Sequence, residues 1–313
     1  MKKFSRQIIV LFGILSMSFV VVSWFVPPTE TEDRAKNWEE PYNIITLGTS
    51  HGDDFTFGSI AGSGANFNLS ANTLYYDLQQ FNYVHEQGAL APKAWVLIPV
   101  SYFVFGTDEN RTLLMRPGVF VSQFYAYMDP DQILDYSFRQ DVSLVITRVQ
   151  DFARESVNQM LGYIEEDVDT LNPGEFEGLV YAEHVERVEA DLKARVKRHR
   201  KLGSYLPPQK NKAYLTKLVE EVRRLGYQPV VLTLPYYYSY NEGMGEKWLS
   251  KHYWKPLTEV VESTEVPWLD YSTDTSYTLH PELFLDQDHL NDAGRIQFTQ
   301  KVYEDLLLRN EEP

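Results

Sequence analysis

Short apolar, β-branched runs recur along the chain at 43 to 47, 65 to 69, 94 to 100, 228 to 234 and 267 to 270, mostly separated by stretches of helical periodicity. Each has the length of a strand buried on both faces, and strands alternating with helices predict a parallel sheet covered by helices on both sides. Gln228 to Leu234 follows a helical pattern ending Arg223-Arg224-Leu225-Gly226, where the glycine serves as the stop. A single domain over 43–313 accommodates these elements, with no internal repeats. A long connection at about 107–207 interrupts the alternation and carries amphipathic stretches around 130 to 163 and 182 to 202. The second is dense in Glu, Lys and Arg, as a solvated helix face would be; a cap or docking element is the functional alternative.

Ahead of the domain, Ile8 to Val26 are nineteen consecutive uncharged, mostly apolar residues, close to the roughly 20 a helix needs to span a bilayer. Lys2, Lys3 and Arg6 precede them, and positive flanks stay cytoplasmic, so the remainder is expected outside the membrane. A cleaved signal peptide is the competing reading. Against it stand the length of the run and Ser23-Trp24-Phe25-Val26-Pro27-Pro28, which is no small-x-small cleavage site. Residues 1–27 are therefore read as a cytoplasmic tip and a single-pass transmembrane anchor, and 28–42 as a polar linker.

Charge narrows the partners. With 44 acidic against 29 basic residues the formal net charge is −15, three of the cations lying before the anchor. Such a surface repels nucleic acid and anionic lipid headgroups, and disfavours polyanionic glycans unless a local basic groove holds them. No cysteine is present, which excludes a lipidated N-terminal cysteine and any disulfide.

The candidate chemistry lies at two distant points. Gly48-Thr49-Ser50-His51 follows the first strand, placing Ser50 on the turn past its carboxyl end, where open α/β sheets bind their ligands. Asp286-Gln287-Asp288-His289 supplies an aspartate three residues before a histidine. A serine hydroxyl needs a neighbouring base, so His289 is assigned as base, Asp286 as the group that fixes its tautomer, and Ser50 as nucleophile. Asp288 and His51 are expected to point away. His85, His184, His199, His252 and His280 show no ligand spacing, so no metal or cofactor is assigned.

With these segments the chain resembles the SGNH (GDSL-like) hydrolases, in particular the membrane-anchored branch that modifies bacterial envelope polymers, such as the alginate O-acetylation and teichoic acid D-alanyl transfer proteins. Three stretches carry the resemblance: 43 to 52, 66 to 77 and 266 to 304. The most specific is Asp286-x-x-His289-Leu290-Asn291 leading into an amphipathic helix. The family implies a three-layer α/β/α fold and an oxyanion hole. Its donors here would be the N–H of Ser50, Asn68 in the place of the family's glycine, and Ser101, the nearest candidate after the third strand.

The resemblance further implies an acyl donor, a polysaccharide or glycan acceptor, a multi-pass membrane acyltransferase partner, and a bacterial cell membrane location with the domain periplasmic or extracellular. Tyr236, Tyr237, Tyr238 and Tyr240 directly follow a strand and are expected on the rim beside Ser50, where rings could stack on sugars. The resulting expectation is a serine esterase or O-acyltransferase, acetyl being the expected group. A non-catalytic glycan-binding or scaffold component of the same fold is the alternative from another class.

Overall fold

The computed structural model describes residues 30–69, 72–107, 132 and 180–311. The expected anchor at 8 to 26 and the amphipathic stretch at 130 to 163 lie outside them, apart from Gln132. No helix among the described residues is long and apolar enough to cross a membrane.

The architecture is a three-layer α/β fold. Strands β1 (Tyr42–Thr46), β2 (Gly64–Asn66), β3 (Leu90–Pro99), β4 (Gln228–Thr233) and β5 (Trp268–Asp270) form one sheet in the order β2-β1-β3-β4-β5, every pairing parallel. All five overlap the runs picked out by their apolar, β-branched composition. Period-two alternation divides their side chains between the faces. Ile45, Val96, Ile98 and Val231 pack on one side with Phe81 of helix α2 (Leu74–Glu86), Leu218 of α5 (Gln209–Arg224) and Leu257 of α8 (Lys255–Thr264). Ile44, Leu97, Val230 and Leu232 pack on the other, against Phe298 and Val302 of the last helix, α10 (Asp292–Glu311). Gly226 ends α5 with a backbone φ of +87°, as its glycine predicted.

One boundary differs from expectation. The stretch assigned as linker contains helix α1 (Glu30–Lys36), whose Ala35 is fully buried. The Arg34 guanidinium donates to Asn66 O at 2.9 Å, and Tyr42 donates to Arg34 O at 3.1 Å. Its polar composition looked like solvated chain, but one small buried residue and these bonds fasten it to the domain. The described end of the long connection forms helices α3 (Tyr181–Glu189) and α4 (Leu192–Gly203), followed by α5. After β4 come α6 (Tyr238–Met244) and α7 (Glu246–Leu249), and after β5 the short α9 (Thr275–Thr278).

In this sheet order the chain leaves β1 for β2 on one side and then crosses back to β3 on the other, so β1 and β3 flank the topological switch point where open sheets leave a crevice. Because every strand is parallel, the segments following β1, β3, β4 and β5 emerge on that same edge.

Candidate active site

The turn after β1 is shaped by close backbone approach. Gly48 adopts φ +103°, and a Cβ there would lie 3.3 Å from Pro99 O. Only glycine takes both conditions without strain. Its N–H donates to Asp77 Oδ1 at 2.8 Å, and Asn72 Nδ2 donates to the same oxygen at 2.6 Å. Asp77 is buried, and burial pushes its carboxyl up to about 7 against the opposing Gly48 hydrogen bond. Residues 72 to 77 thus brace the serine turn from behind. Ser50 begins a 3₁₀ turn, Ser50–Asp54, whose buried Asp54 accepts the Leu290 N–H at 2.9 Å. That bond ties the serine turn to the loop following β5.

The loop folds back on itself: Phe284 and Leu290 form an antiparallel bridge and Leu285 N–H donates to His289 O at 2.9 Å. Inside it, Asp286 Oδ1 accepts the backbone N–H groups of Asp288 and His289, each at 3.0 Å. The same oxygen lies 3.0 Å from His289 Nδ1, so Nδ1 carries the proton and Nε2 faces outward. Nε2 is 3.0 Å from Ser50 Oγ, across 239 residues of sequence. Ser50, His289 and Asp286, distant in sequence, are therefore brought within hydrogen-bonding reach of one another.

Asp288 and His51 correct the expectation that they turn away. Asp288 is fully buried at the centre of the site. Its Oδ2 lies 3.2 Å from His51 Nε2 and 3.5 Å from His199 Nδ1, while its Oδ1 accepts from Arg195 Nη1 at 2.7 Å. The second terminal nitrogen of Arg195 is 2.8 Å from Asp286 Oδ2, so one guanidinium joins the two aspartates. The His51 ring stacks on His289, centroids 4.5 Å apart. Sequence reading missed Arg195 and set His199 aside for want of ligand spacing. Both lie on α4, in the charge-dense stretch read as a solvated face, and their inward direction depends on the tertiary fold.

Electrostatics follow from this packing. Burial opposes charging His289, but Asp288 and Asp286 outweigh it and raise its pKa to about 9. Burial and the neighbouring His289 charge hold His51 below the usual imidazole value, and burial takes His199 down to about 4 despite Asp288 beside it. Neutral His51 then donates from Nε2 to ionised Asp288. Its Nδ1 accepts from the hydroxyls of Ser101 and Thr49, each 3.0 Å away. Burial disfavours the Asp288 carboxylate, yet the facing imidazoles hold its pKa well below the ordinary range.

Ser101 is thus corrected as an oxyanion donor, because its buried hydroxyl serves His51 inside the turn. Asn68 stays beside the serine turn, its Cβ only 2.4 Å from where a side chain on Gly52 would begin. Its backbone is not left-handed, so the geometry that would favour glycine there is not used. The tyrosine cluster is corrected too. Tyr236, Tyr237 and Tyr240 are each 1 % exposed and belong to the core, whereas Tyr238 is 38 % exposed. Tyr236 packs on Tyr102 with centroids 4.4 Å apart, and Tyr240 places its hydroxyl 2.7 Å from His199 Nδ1. None of the three presents a ring face to a sugar.

No protein-family model and no curated protein matches this chain by sequence. Among solved structures, the chain is similar to a proposed acylhydrolase from Bacteroides fragilis NCTC 9343, at 9 % identity and a TM-score of 0.39, covering 90 % of this chain and 95 % of that one. The chemistry therefore rests on the side chains themselves.

His51, Asp288 and His289 each offer a ligand atom within 4.8 Å of the others, a grouping among the described residues that sequence spacing did not reveal. Those atoms are already committed. Asp288 engages His51 and Arg195, and His289 Nδ1 engages Asp286. A cation there would displace these bonds and face the Arg195 guanidinium, so the donor set fits a hydrogen-bonded relay better than a metal centre.

Proposed function

We propose that the chain is a serine esterase or O-acyltransferase of the SGNH type, with Ser50 as nucleophile, His289 as general base and then acid, and Asp286 as its orienting carboxylate. The observation that carries this reading is the continuous contact from Ser50 Oγ to His289 Nε2 and from His289 Nδ1 to Asp286.

In the reaction, neutral His289 takes the Ser50 proton as Oγ bonds to the acyl carbon. The carbonyl electrons move to oxygen, and the backbone N–H of Ser50 with Asn68 is the proposed cradle for that oxyanion. As the intermediate collapses, His289 returns the proton to the leaving oxygen and an acyl-Ser50 ester remains. Water or a sugar hydroxyl then attacks with the roles repeated. The imidazolium formed on the way faces two carboxylates, which stabilises charge where it develops.

The acceptor is proposed to be a bacterial envelope or exported polysaccharide, the acyl group acetyl, and the partner a multi-pass membrane acyltransferase. Support comes from the sequence resemblance at 43 to 52, 66 to 77 and 266 to 304 and from the apolar run at 8 to 26. A C-terminal alkaline phosphatase fusion tests the topology: activity places the domain outside the membrane, and inactivity overturns the anchor. For the chemistry, a fluorophosphonate probe should label the full chain and not Ser50→Ala or His289→Ala, with hydrolysis of p-nitrophenyl acetate falling on the order of 10³-fold or more. Labelling that persists in Ser50→Ala overturns the nucleophile.

A further inference from the structure

Helices α3 and α4, at the end of the long connection, hold the loop that carries Asp286 and His289 at several points. Arg187 on α3 donates to Leu285 O and, at 3.3 Å, to Pro281 O. Gln287 Nε2 donates to Ala190 O, between the two helices. Arg195 on α4 then reaches past these contacts to both aspartates, at 2.8 Å to Asp286 and 2.7 Å to Asp288.

The helix delivering Arg195 is itself fixed. A Cβ on Gly106 would lie 2.2 Å from the backbone of Gly203, so α4 rests directly on the segment that follows β3. Val196 and Leu202 are buried, and His199 meets Tyr240. Lys193, Lys197, Arg198, Arg200 and Lys201 of the same helix are exposed, and none of them pairs with a carboxylate among the described residues. Arg195 is the cation of this run that turns inward.

We propose that Arg195 is a positioning residue for Ser50 chemistry, clamping Asp286 and Asp288 together so that docking of α3 and α4 is coupled to competence of the site. The proposal rests on the reading of Ser50 as nucleophile. Its physical content is geometric and electrostatic. A planar guanidinium presents two terminal nitrogens in a fixed fork, so it can hold two carboxylates at a set separation, which a single ammonium cannot. Asp288 is wholly buried, and without Arg195 the counter-charge left to it would be the protonated His289 ring 3.7 Å away. His289 would then face two carboxylates without the Arg195 charge and hold its proton more tightly, so that less of it would be neutral at working pH to accept the Ser50 proton. The charged groups acting on His289 are Asp286 and Asp288 from its own loop and Asp54 from the serine turn, with His51 stacked on its ring; from α4, Arg195 acts on Asp286 and Asp288 and His199 on Asp288, and Arg295 of α10 acts on Asp54.

The test uses the full chain in detergent micelles with Arg195→Gln and Arg195→Lys. The ring carbon of His289 is titrated by NMR, its resonance assigned by loss in His289→Gln, beside p-nitrophenyl acetate kinetics against pH and thermal melting. In Arg195→Gln the His289 midpoint should move upward and kcat at neutral pH should fall roughly tenfold to a hundredfold with KM little changed. Arg195→Lys should return the midpoint toward wild type while recovering part of kcat, since charge is restored and the fork is not. Wild-type titration and turnover in both variants overturn the proposal. So does a loss of melting temperature and rate with the His289 midpoint unmoved, which would mark a merely structural arginine. Should Arg195→Gln not fold, a kcat deficit of Arg195→Lys with both midpoint and melting temperature unchanged carries the test, and full activity, or a deficit that comes with a lowered melting temperature, overturns it. A wild type with neither turnover nor a fluorophosphonate adduct sinks the hydrolase reading separately, while the ring titration still decides whether Arg195 governs His289.

Discussion

The imidazole rings of His51 and His289 lie face to face, centroids 4.5 Å apart and planes within 11° of parallel. At that separation both rings cannot be charged without strong repulsion, and the site resolves the conflict by environment. Within two residues of each other, Asp286 and Asp288 face His289 at Nδ1, whereas buried His51 meets Asp288 alone. His289 therefore holds the proton, up to about pH 9, and His51 stays neutral. With ionised Asp286 and Asp288 opposite Arg195 and protonated His289, the resting cluster is balanced in charge.

A pH dependence follows. His289 accepts the Ser50 proton only when neutral, and its pKa is raised, so hydrolysis should climb with pH until about 9. Asp288→Asn removes one of the two anions that raise it, and the limb should move toward lower pH. The plateau should drop as well, because the imidazolium of the transition state loses a carboxylate and Arg195 loses a partner. Profiles of kcat/KM for p-nitrophenyl acetate on the two proteins make the comparison, and a limb unmoved by Asp288→Asn would remove Asp288 from the relay.

Gly48→Ala should damage the site without touching a reacting group. Its φ of +103° and its approach to Pro99 O leave a methyl nowhere to go unless the turn shifts. A cost of roughly 1–3 kcal/mol in stability is expected, together with slower fluorophosphonate labelling of Ser50 as Oγ moves off His289 Nε2. Unchanged labelling kinetics would show that the turn relaxes elsewhere.

The parts legible in sequence were those fixed by local pattern. Buried parallel strands need contiguous apolar runs, so all five could be found, and a strand end followed by Gly-x-Ser together with Asp-x-x-His is compact enough to recognise. Asp288 was misjudged because the Phe284 to Leu290 loop closes on itself and turns it inward, which neighbouring residue types do not dictate. Arg195 lies 93 residues from Asp288 in a run of like residues, and only docking of α4 distinguishes it. Tyr236, Tyr237 and Tyr240 were misread because a position just past a strand end was taken for the exposed rim. Tyr102 donates to Asn241 Oδ1 at 2.8 Å and Tyr253 to Val100 O at 2.9 Å, so phenols can be buried with their hydroxyls satisfied.

Asp54 should make the fold less stable as pH rises through the acidic range. Burial raises its carboxyl to about 7 from the ordinary 3.8, so the folded state binds a proton that the unfolded chain has already lost. Its contribution is full below about 4 and disappears as pH approaches 7, amounting to about 4 kcal/mol as an upper bound. Asp54→Asn keeps an acceptor for the Leu290 N–H and removes the titration. Melting temperature followed from about pH 4.5 to 7.5 should therefore decline less in the variant, with Asp77 accounting for part of what remains. Parallel declines would mean that Asp54 stays ionised in the folded protein.

Tyr236 and Tyr238 should separate core from rim. Tyr236 is buried between Tyr102 and Tyr240, so Tyr236→Ala opens a cavity and should cost roughly 3–5 kcal/mol. Its hydroxyl, however, has no hydrogen-bond partner among the described groups. Tyr236→Phe deletes an unsatisfied buried polar atom at nearly constant shape and should be neutral or stabilising by about 1 kcal/mol. Tyr238, exposed and edge-on to Tyr237, should tolerate alanine within about 0.5 kcal/mol. Urea midpoints of the three variants provide the measurement, with titration of an envelope oligosaccharide alongside. If Tyr236→Ala kept its midpoint and weakened the oligosaccharide, the ring would have to be reachable from solvent, and the packing assigned to this side of the site would be wrong.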